Sequence, residues 1–310
     1  MYHRVLKPAE DMTYVLHPGI YVTPSTFEMQ MRYLKQCFNV ISFEDYLNVP
    51  YDAHTQSKTR CIVTFDDGWK DNYENAFPVL KKYEISATVF LSTGFVGTDK
   101  WFWQQKLGCQ IKTLLNHPQL LAEIDREKSG GVIADILKVP SRIRNEPERY
   151  LDSIIRKLKL NMPDKIEEII KRIEIYTGLN RYPSVPQILN KKEIAEMSER
   201  GIYFGSHGIS HRVFTALESS VVDAELRDSR RFIENEGYRF IPVLSYPNGD
   251  FNEEIINRAQ RWGYRAGVTT MSGVNMHGGN LFKLRRINIH EDVSHSKSLF
   301  SYLISSGEQW

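Results

Sequence analysis

The stretch Arg60-Cys61-Ile62-Val63-Thr64-Phe65-Asp66-Asp67-Gly68 decides the fold. Its first six residues are mostly apolar and β-branched and of strand length, so they read as a parallel strand buried on both faces. Two carboxylates and a glycine follow at once. They therefore stand at the C-terminal end of a strand, the edge on which α/β barrels assemble their active sites. Residues 71–83 come next with helical periodicity, interrupted by Pro78, which is expected to kink or end the helix. Residues 87–91 (ATVFL) form the next strand.

The same rhythm continues downstream. Asn190 caps a helix with Glu193 at the capping-box position, and Gly201 marks its end. A strand at 202–205 precedes a long helix from about Glu218 to Glu236, stopped by Gly237. A strand at 241–245 leads into the turn Pro247-Asn248-Gly249, and Asn252 caps a helix that ends at Gly263. Strands at 266–270 and 283–289 complete the series. Upstream, residues 2–6 form a short strand, and Thr23-Pro24 opens a helix carrying Phe27, Met31 and Leu34. Such alternation implies a parallel sheet with crossover helices, either a barrel or a doubly wound sheet. About seven strands in 310 residues favour an α/β barrel, complete or incomplete.

From 101 to 186 the rhythm stops. Helical segments at 104–115, 146–160 and 163–176 replace it, so residues 1–310 read as a single domain with a helical insertion at 101–186. Because the insertion follows strand 87–91, its roots are expected on the catalytic face, bordering the cleft and extended substrates.

Composition excludes several classes. Forty Lys+Arg against 38 Asp+Glu give a net charge of +2, which makes no case for a nucleic-acid or membrane-surface partner. No apolar run approaches the ~20 residues of a membrane-spanning helix. Cys37, Cys61 and Cys109 are too few and too scattered for a disulfide framework or a thiolate zinc site. The opening MYHRVLKPAE has no basic stretch followed by an apolar one, so no signal peptide is expected and the default location is cytoplasmic. A strand that begins at the second residue leaves room for an upstream segment.

Polar groups gather after the strand ends. Neighbouring anions repel, so one of Asp66 and Asp67 must be ion-bound, protonated or well solvated; the plainer reading is a pair of helix-capping aspartates in an exposed turn. Ser206-His207-Gly208-Ile209-Ser210-His211 follows strand 202–205, and imidazoles four residues apart can converge on one cation. With an aspartate they make a set of two histidines and one carboxylate, which suits zinc with a position open to water. Ser245-Tyr246-Pro247-Asn248-Gly249 follows strand 241–245 and could turn a backbone N–H toward a developing oxyanion.

In this order, TFDDG at 64–68, SHGISH at 206–211 and SYPNG at 245–249 resemble the polysaccharide deacetylase family, also called carbohydrate esterase family 4 or the NodB-homology group. The third motif looks like the variant in members acting on poly-N-acetylglucosamine and exopolysaccharides. Tyr2-His3-Arg4-Val5 is similar to the opening of a circularly permuted branch, in which the strand bearing the last catalytic histidine stands at the N-terminus. The resemblance covers about residues 1–100 and 186–290. It implies a distorted (β/α)7 barrel, one divalent transition-metal ion of the zinc kind, and hydrolysis of N-acetyl groups from an acetylated polysaccharide or oligosaccharide. It also implies roles: Asp67, His207 and His211 as metal ligands, Asp66 as general base, His3 as general acid, and Asn248 at the oxyanion position. Where the family's third motif has arginine, this chain has Ser245; Arg285 or Arg286 is the candidate to steady the base instead.

Three functions compete. One is a metal-dependent N-deacetylase; another is an acetyl-ester or small-amide hydrolase on the same site; the third is a catalytically dead carbohydrate-binding relative. The intact Asp66-Asp67 pair argues against the third, because a pure binder needs no base. Trp101 and Trp103 either stack on sugar rings or anchor the insertion, and Tyr246, Arg285 and Arg286 are further candidates for touching substrate. His290 competes with His3 as the acid, while His17, His54, His117, His277 and His295 read as surface residues.

Overall fold

The computed structural model describes residues 1–8, 14, 16–17, 19–48, 58–117, 119–120, 146–161, 165–178, 182 and 187–307. His54 lies outside them. The chain divides into two compact units: Met1–Lys7, Tyr21–Asp99 and Pro186–Trp310 form the first, Pro8–Ile20 and Lys100–Val185 the second. Among the described residues no helix is long and apolar enough to cross a membrane.

In chain order the elements are β1 (Arg4–Val5), β2 (Tyr21–Val22), α1 (Pro24–Cys37), β3 (Asn39–Val40), α2 (Phe43–Asn48), β4 (Arg60–Cys61), β5 (Val63–Phe65), α3 (Phe77–Tyr83) and β6 (Ala87–Leu91). Helices α4 (Trp103–Asn116), α5 (Pro147–Asn161) and α6 (Ile166–Thr177) belong to the second unit. The first unit resumes with α7 (Lys191–Glu199), β7 (Tyr203–Ser206), α8 (Ser219–Asn235), β8 (Phe240–Ser245), α9 (Glu253–Arg261), β9 (Ala266–Val268), α10 (Glu291–Ser294) and α11 (Lys297–Ser306).

The core is a curled parallel sheet in the order β5-β6-β7-β8-β9. Every residue of β5, β6 and β9 is buried, as continuous apolar runs require. Its two edges are then joined. Tyr2 bridges to Phe65 at the β5 edge, giving its N–H to Thr64 O at 2.8 Å and taking the Asp66 N–H at 3.0 Å. Leu284 bridges to Val268 at the β9 edge, and the Ile289 N–H reaches Met1 O at 2.9 Å. Hydrogen bonding thus runs right round a distorted, TIM-like α/β barrel.

Local signals set the helix ends. Thr23 Oγ1 accepts the Thr26 N–H at 3.3 Å, and Asn252 Oδ1 accepts that of Ile255 at 2.9 Å. Asn190 and Glu193 form the reciprocal box, with bonds of 3.0 and 2.8 Å.

Three expectations need correction. Residues 60–65 are not one strand: β4 pairs with β3, and only β5 enters the central sheet. Residues 283–289 form no strand beyond the single bridge at Leu284, because the Arg285 N–H goes to Asn275 Oδ1 (2.8 Å) and the Arg286 N–H to Met271 O (2.9 Å). The loop after β9 takes the donors a ladder would have used. Pro78 neither kinks nor ends its helix by itself; a π-helical turn at Asn72–Ala76, closed by the Phe77 N–H on Asn72 O, runs directly into α3 and leaves Pro78 in a first turn, where it loses no bond.

In the second unit, Leu107, Ile111 and Leu114 of α4 pack with Leu151, Ile154, Leu158, Ile169 and Ile173 of α5 and α6. Trp101, only 5% exposed, meets Tyr14 edge-on at 5.5 Å and lies 5.8 Å from Tyr182. Trp103 packs half-buried against the helical cluster. As a core residue, Trp101 offers no face for a sugar to stack on.

One buried ion pair fastens β1 to the chain after β5. Asp71 accepts Arg4 Nε–H at 2.8 Å through Oδ2 and the Val5 N–H at 2.8 Å through Oδ1, with both side chains under a tenth exposed. Asp71→Ala removes the carboxylate facing a buried guanidinium, and urea unfolding should show a loss of about 3–5 kcal/mol. A variant as stable as the parent would mean that β1 is held by other contacts.

Candidate metal centre

The chain beyond β5 must turn sharply at Asp67, which takes left-handed backbone (φ 75°) although it is not glycine. The turn aims the side chain into the barrel mouth, where it is 4% exposed. Asp67 Oδ2 accepts the Trp69 indole N–H at 2.8 Å. Asp67 Oδ1 lies 3.4 Å from His207 Nε2 and 3.2 Å from His211 Nε2, is buried, and has no hydrogen-bond partner. One ligand atom from each of the three residues falls within 4.8 Å of the others. An orphaned carboxylate oxygen facing two ring nitrogens is the donor set a divalent cation completes.

The histidines come from beyond β7. His207 Nδ1 meets the Ser245 carbonyl at 2.7 Å, and a carbonyl only accepts, so Nδ1 carries a proton and Nε2 is the nitrogen turned to the site. Burial pushes the His207 pKa down, but the Asp67 and Asp66 carboxylates outweigh it and hold the ring above the usual imidazole range. Burial likewise pushes Asp67 up, and the His211 and His207 imidazoles more than reverse this, holding it well below the carboxylate range.

Asp66, 2% exposed, is gripped from the far end of the chain. Arg286 Nη1 donates to its Oδ1 and Nη2 to its Oδ2, both at 2.7 Å, while Nε holds Thr269 O at 2.9 Å. Ser245 Oγ donates to Asp66 Oδ2 at 3.2 Å and accepts from Arg286 Nη2 at 3.1 Å. Burial raises the Asp66 pKa, but Arg286 overrides it and brings it down to about 2. Oδ1 accepts only one of these bonds and keeps acceptor capacity for a further proton donor.

The remaining sequence candidates divide. His3 borders the site: Asp67, Asp66, Arg286 and His207 all act on its ring electrostatically, burial takes its pKa below the usual value, and its buried Nδ1 has no hydrogen-bond partner. His290 instead caps α10, with Nδ1 3.1 Å from Asp292 Oδ2. Asn248, also left-handed (φ 62°), stands in the turn after β8, three residues beyond Ser245. Tyr246 was expected to touch substrate, yet it is fully buried, stacks on Phe251 and gives its hydroxyl to Phe282 O at 3.0 Å. Arg285 is exposed and turns to Ser272 O, whereas Arg286 is saturated by Asp66, Ser245 and Thr269. Arg286 is therefore committed to the base and does not face substrate as expected. The sequence reading missed Trp69 and Arg4: the Arg4 guanidinium lies 4.3 Å over the Trp69 ring and so backs the indole that holds Asp67. Nothing in their spacing announced this.

The family model for polysaccharide deacetylases matches residues 53–134 and 166–267, more than half of the chain. The chain belongs to the polysaccharide deacetylase family. His3 and Arg286 both lie outside the matched stretches. The chain is similar to YxkH of Bacillus subtilis, 23% identical over 238 residues that cover 76% of this chain and 54% of that protein. It is also similar to the poly-beta-1,6-N-acetyl-D-glucosamine N-deacetylase of Staphylococcus aureus, 37% identical over 82 residues covering 26% of this chain and 28% of that one. It thus spans about half of the first relative and little more than a quarter of the second. Among solved structures, the Streptococcus pyogenes deacetylase PplD superposes with a TM-score of 0.60 at 20% identity, covering 99% of this chain and 96% of that one. IcaB from Ammonifex degensii gives 0.58 at 17% identity, covering 99% and 95%. These likenesses are of fold.

If the three ligand-type side chains act together, losing one imidazole should empty the site. Elemental analysis of purified His207→Ala should find divalent metal near background, against about one equivalent in the parent. Full occupancy in the variant would place the metal elsewhere.

Proposed function

We propose that this chain is a metal-dependent hydrolase that removes N-acetyl groups from an N-acetylated amino-sugar polysaccharide or oligosaccharide. The observation that carries the reading is the juxtaposition of an orphaned Asp67 oxygen between two imidazoles with a second carboxylate, Asp66, clamped beside it. Asp67, His207 and His211 would hold the metal, and the mixed nitrogen and oxygen donors suit zinc. Zinc held there would supply Lewis-acid chemistry toward an acetyl carbonyl and the attacking water.

The chain's own residues supply the proton traffic. Asp66 is ionised throughout the neutral range and takes the proton of the attacking water, which Oδ1 can still accept. Arg286 and Ser245 fix the carboxylate plane, the role that arginine plays in the family's third motif. The Asn248 backbone N–H stabilises the oxyanion as the carbonyl is attacked. His3 protonates the departing amine, without which the carbon–nitrogen bond does not break. A site of this kind leaves the sugar to be selected by surfaces around it, and the similarity to the staphylococcal N-deacetylase supports a poly-N-acetylglucosamine type of substrate.

Acetate release is the direct test. The protein loaded with zinc should free acetate from N-acetylglucosamine oligomers faster than from acetylated xylan; the reverse order would make it an esterase, and no release from either would favour a binding protein. Asp66→Asn should keep its metal yet lose roughly 10²–10⁴-fold in rate, the usual effect of removing a general base.

The two histidines can be separated in the same assay. His3→Ala should retain metal and fold but lose most of the rate, while His290→Ala should lose little. Were His290→Ala the crippled variant, the acid would belong to α10 and not to the N-terminal strand.

A further inference from the structure

The turn between His207 and His211 has to bring two imidazoles to one point, and it does so with left-handed backbone at Gly208 (φ 76°) and His211 (φ 57°). At a non-glycine residue such as His211, backbone of this kind persists only when its surroundings over-determine it. Here the restraint comes from α8. Glu225 is 4% exposed, and its Oε2 accepts the Ile209 N–H at 2.5 Å and the Ser210 N–H at 3.0 Å, while Oε1 accepts the Ser210 hydroxyl at 2.5 Å. Two successive backbone N–H groups converging on one anion make a nest. A Cβ at position 208 would lie 2.9 Å from Glu225 Oε2 and 3.1 Å from the Phe214 ring, so only glycine lets the carboxylate come so close to the turn. A second tie runs through Ser229 of α8, whose hydroxyl meets Ser206 Oγ at 2.7 Å; that oxygen in turn accepts the Gly208 N–H at 3.1 Å.

We infer that Glu225 is a positioning residue of the metal centre, its carboxylate fixing the turn at 208–210 so that His207 and His211 present their Nε2 atoms to the same cation. The inference rests on the metal reading proposed above. All three groups that face Glu225 are donors, and only a carboxylate accepts through both of its oxygens. Glutamine keeps the volume but turns an amide N–H toward a donor, so Glu225→Gln alters the hold on the turn with little change in packing.

Cobalt(II) is the probe, titrated into the metal-free protein and followed by its visible absorption, which reports ligand number and geometry. The parent should take up Co2+. Glu225→Gln should bind it roughly 10–100-fold more weakly, the usual loss when support behind a ligand is removed, and with an altered visible band. A purely structural glutamate would instead lower the melting temperature of the metal-free protein and leave the spectrum of the loaded protein unchanged. A folded Glu225→Gln with parental affinity and spectrum overturns the inference alone. A parent that takes up no Co2+ overturns the metal reading, and the inference with it. Should Glu225→Gln not fold, Ser210→Ala and Arg212→Ala decide together: the first removes the hydroxyl's bonds to Glu225 and from Arg212 Nε, the second only the Arg212 bond. A severalfold loss of Co2+ affinity in Ser210→Ala beyond that of Arg212→Ala upholds the inference, and equal affinities refute it.

Discussion

Two ionised carboxylates on consecutive residues, both nearly inaccessible to water, are the constraint around which this molecule is arranged. Each oxygen of Asp66 and Asp67 has lost its hydration, and the mutual repulsion is strongest where the dielectric is lowest. The fold answers by giving the two neighbours different company. Asp66 receives a bidentate guanidinium, the strongest hydrogen-bonding partner a carboxylate can have. Asp67 receives an indole N–H on one oxygen and faces two imidazoles with the other. The left-handed backbone at Asp67 makes this division possible, because it separates the directions of two adjacent side chains that an extended strand would also have parted but could not have aimed.

Left-handed backbone outside glycine is itself concentrated at the site. Among the described residues, Asp67, Glu84, His211 and Asn248 adopt it, and Glu84 is the ordinary terminator of a helix. The other three sit where side chains or backbone groups must reach the barrel mouth. Strain placed at three strand ends and supported by buried partners is a sign that the mouth is preorganised for something other than stability.

Much of this could be read from the chain. Continuous apolar runs ending in polar residues located β5, β6 and β8 and the mouth above them, and Asn190, Asn252 and the glycines after the helices fixed their ends. Local signals of that kind survive because capping and strand burial depend on residues a few positions apart. What escaped depended on distant partners. Ser245 could be seen to lack the expected guanidinium, but Arg286 was only one of two adjacent arginines, and which of them turned inward was decided by hydrogen bonds from the loop at 271–275. Glu225 looked like one more charge on a helix already carrying Asp223, Arg227 and Asp228. Tyr246 misled in the opposite sense: a phenol inside a polar motif, it belongs to the core between β8 and α9.

The closure of the barrel between residues 1–2 and 284–289 bears on when the molecule can mature. Arg286 and Asp66 are separated by 220 positions in sequence, and the segment carrying the arginine also supplies the bond that fastens Met1. On the ribosome, strands β5 to β9 are made before that segment emerges, so a nascent chain holds the ligand-bearing turns well before it holds the clamp on Asp66. During that interval the aspartate stays hydrated and the first strand has only one neighbour in the ring. Docking of the segment at 284–289 onto β9 and onto the first strand is therefore a contact of long sequence separation, slow by its topology and coupled to the burial of the base.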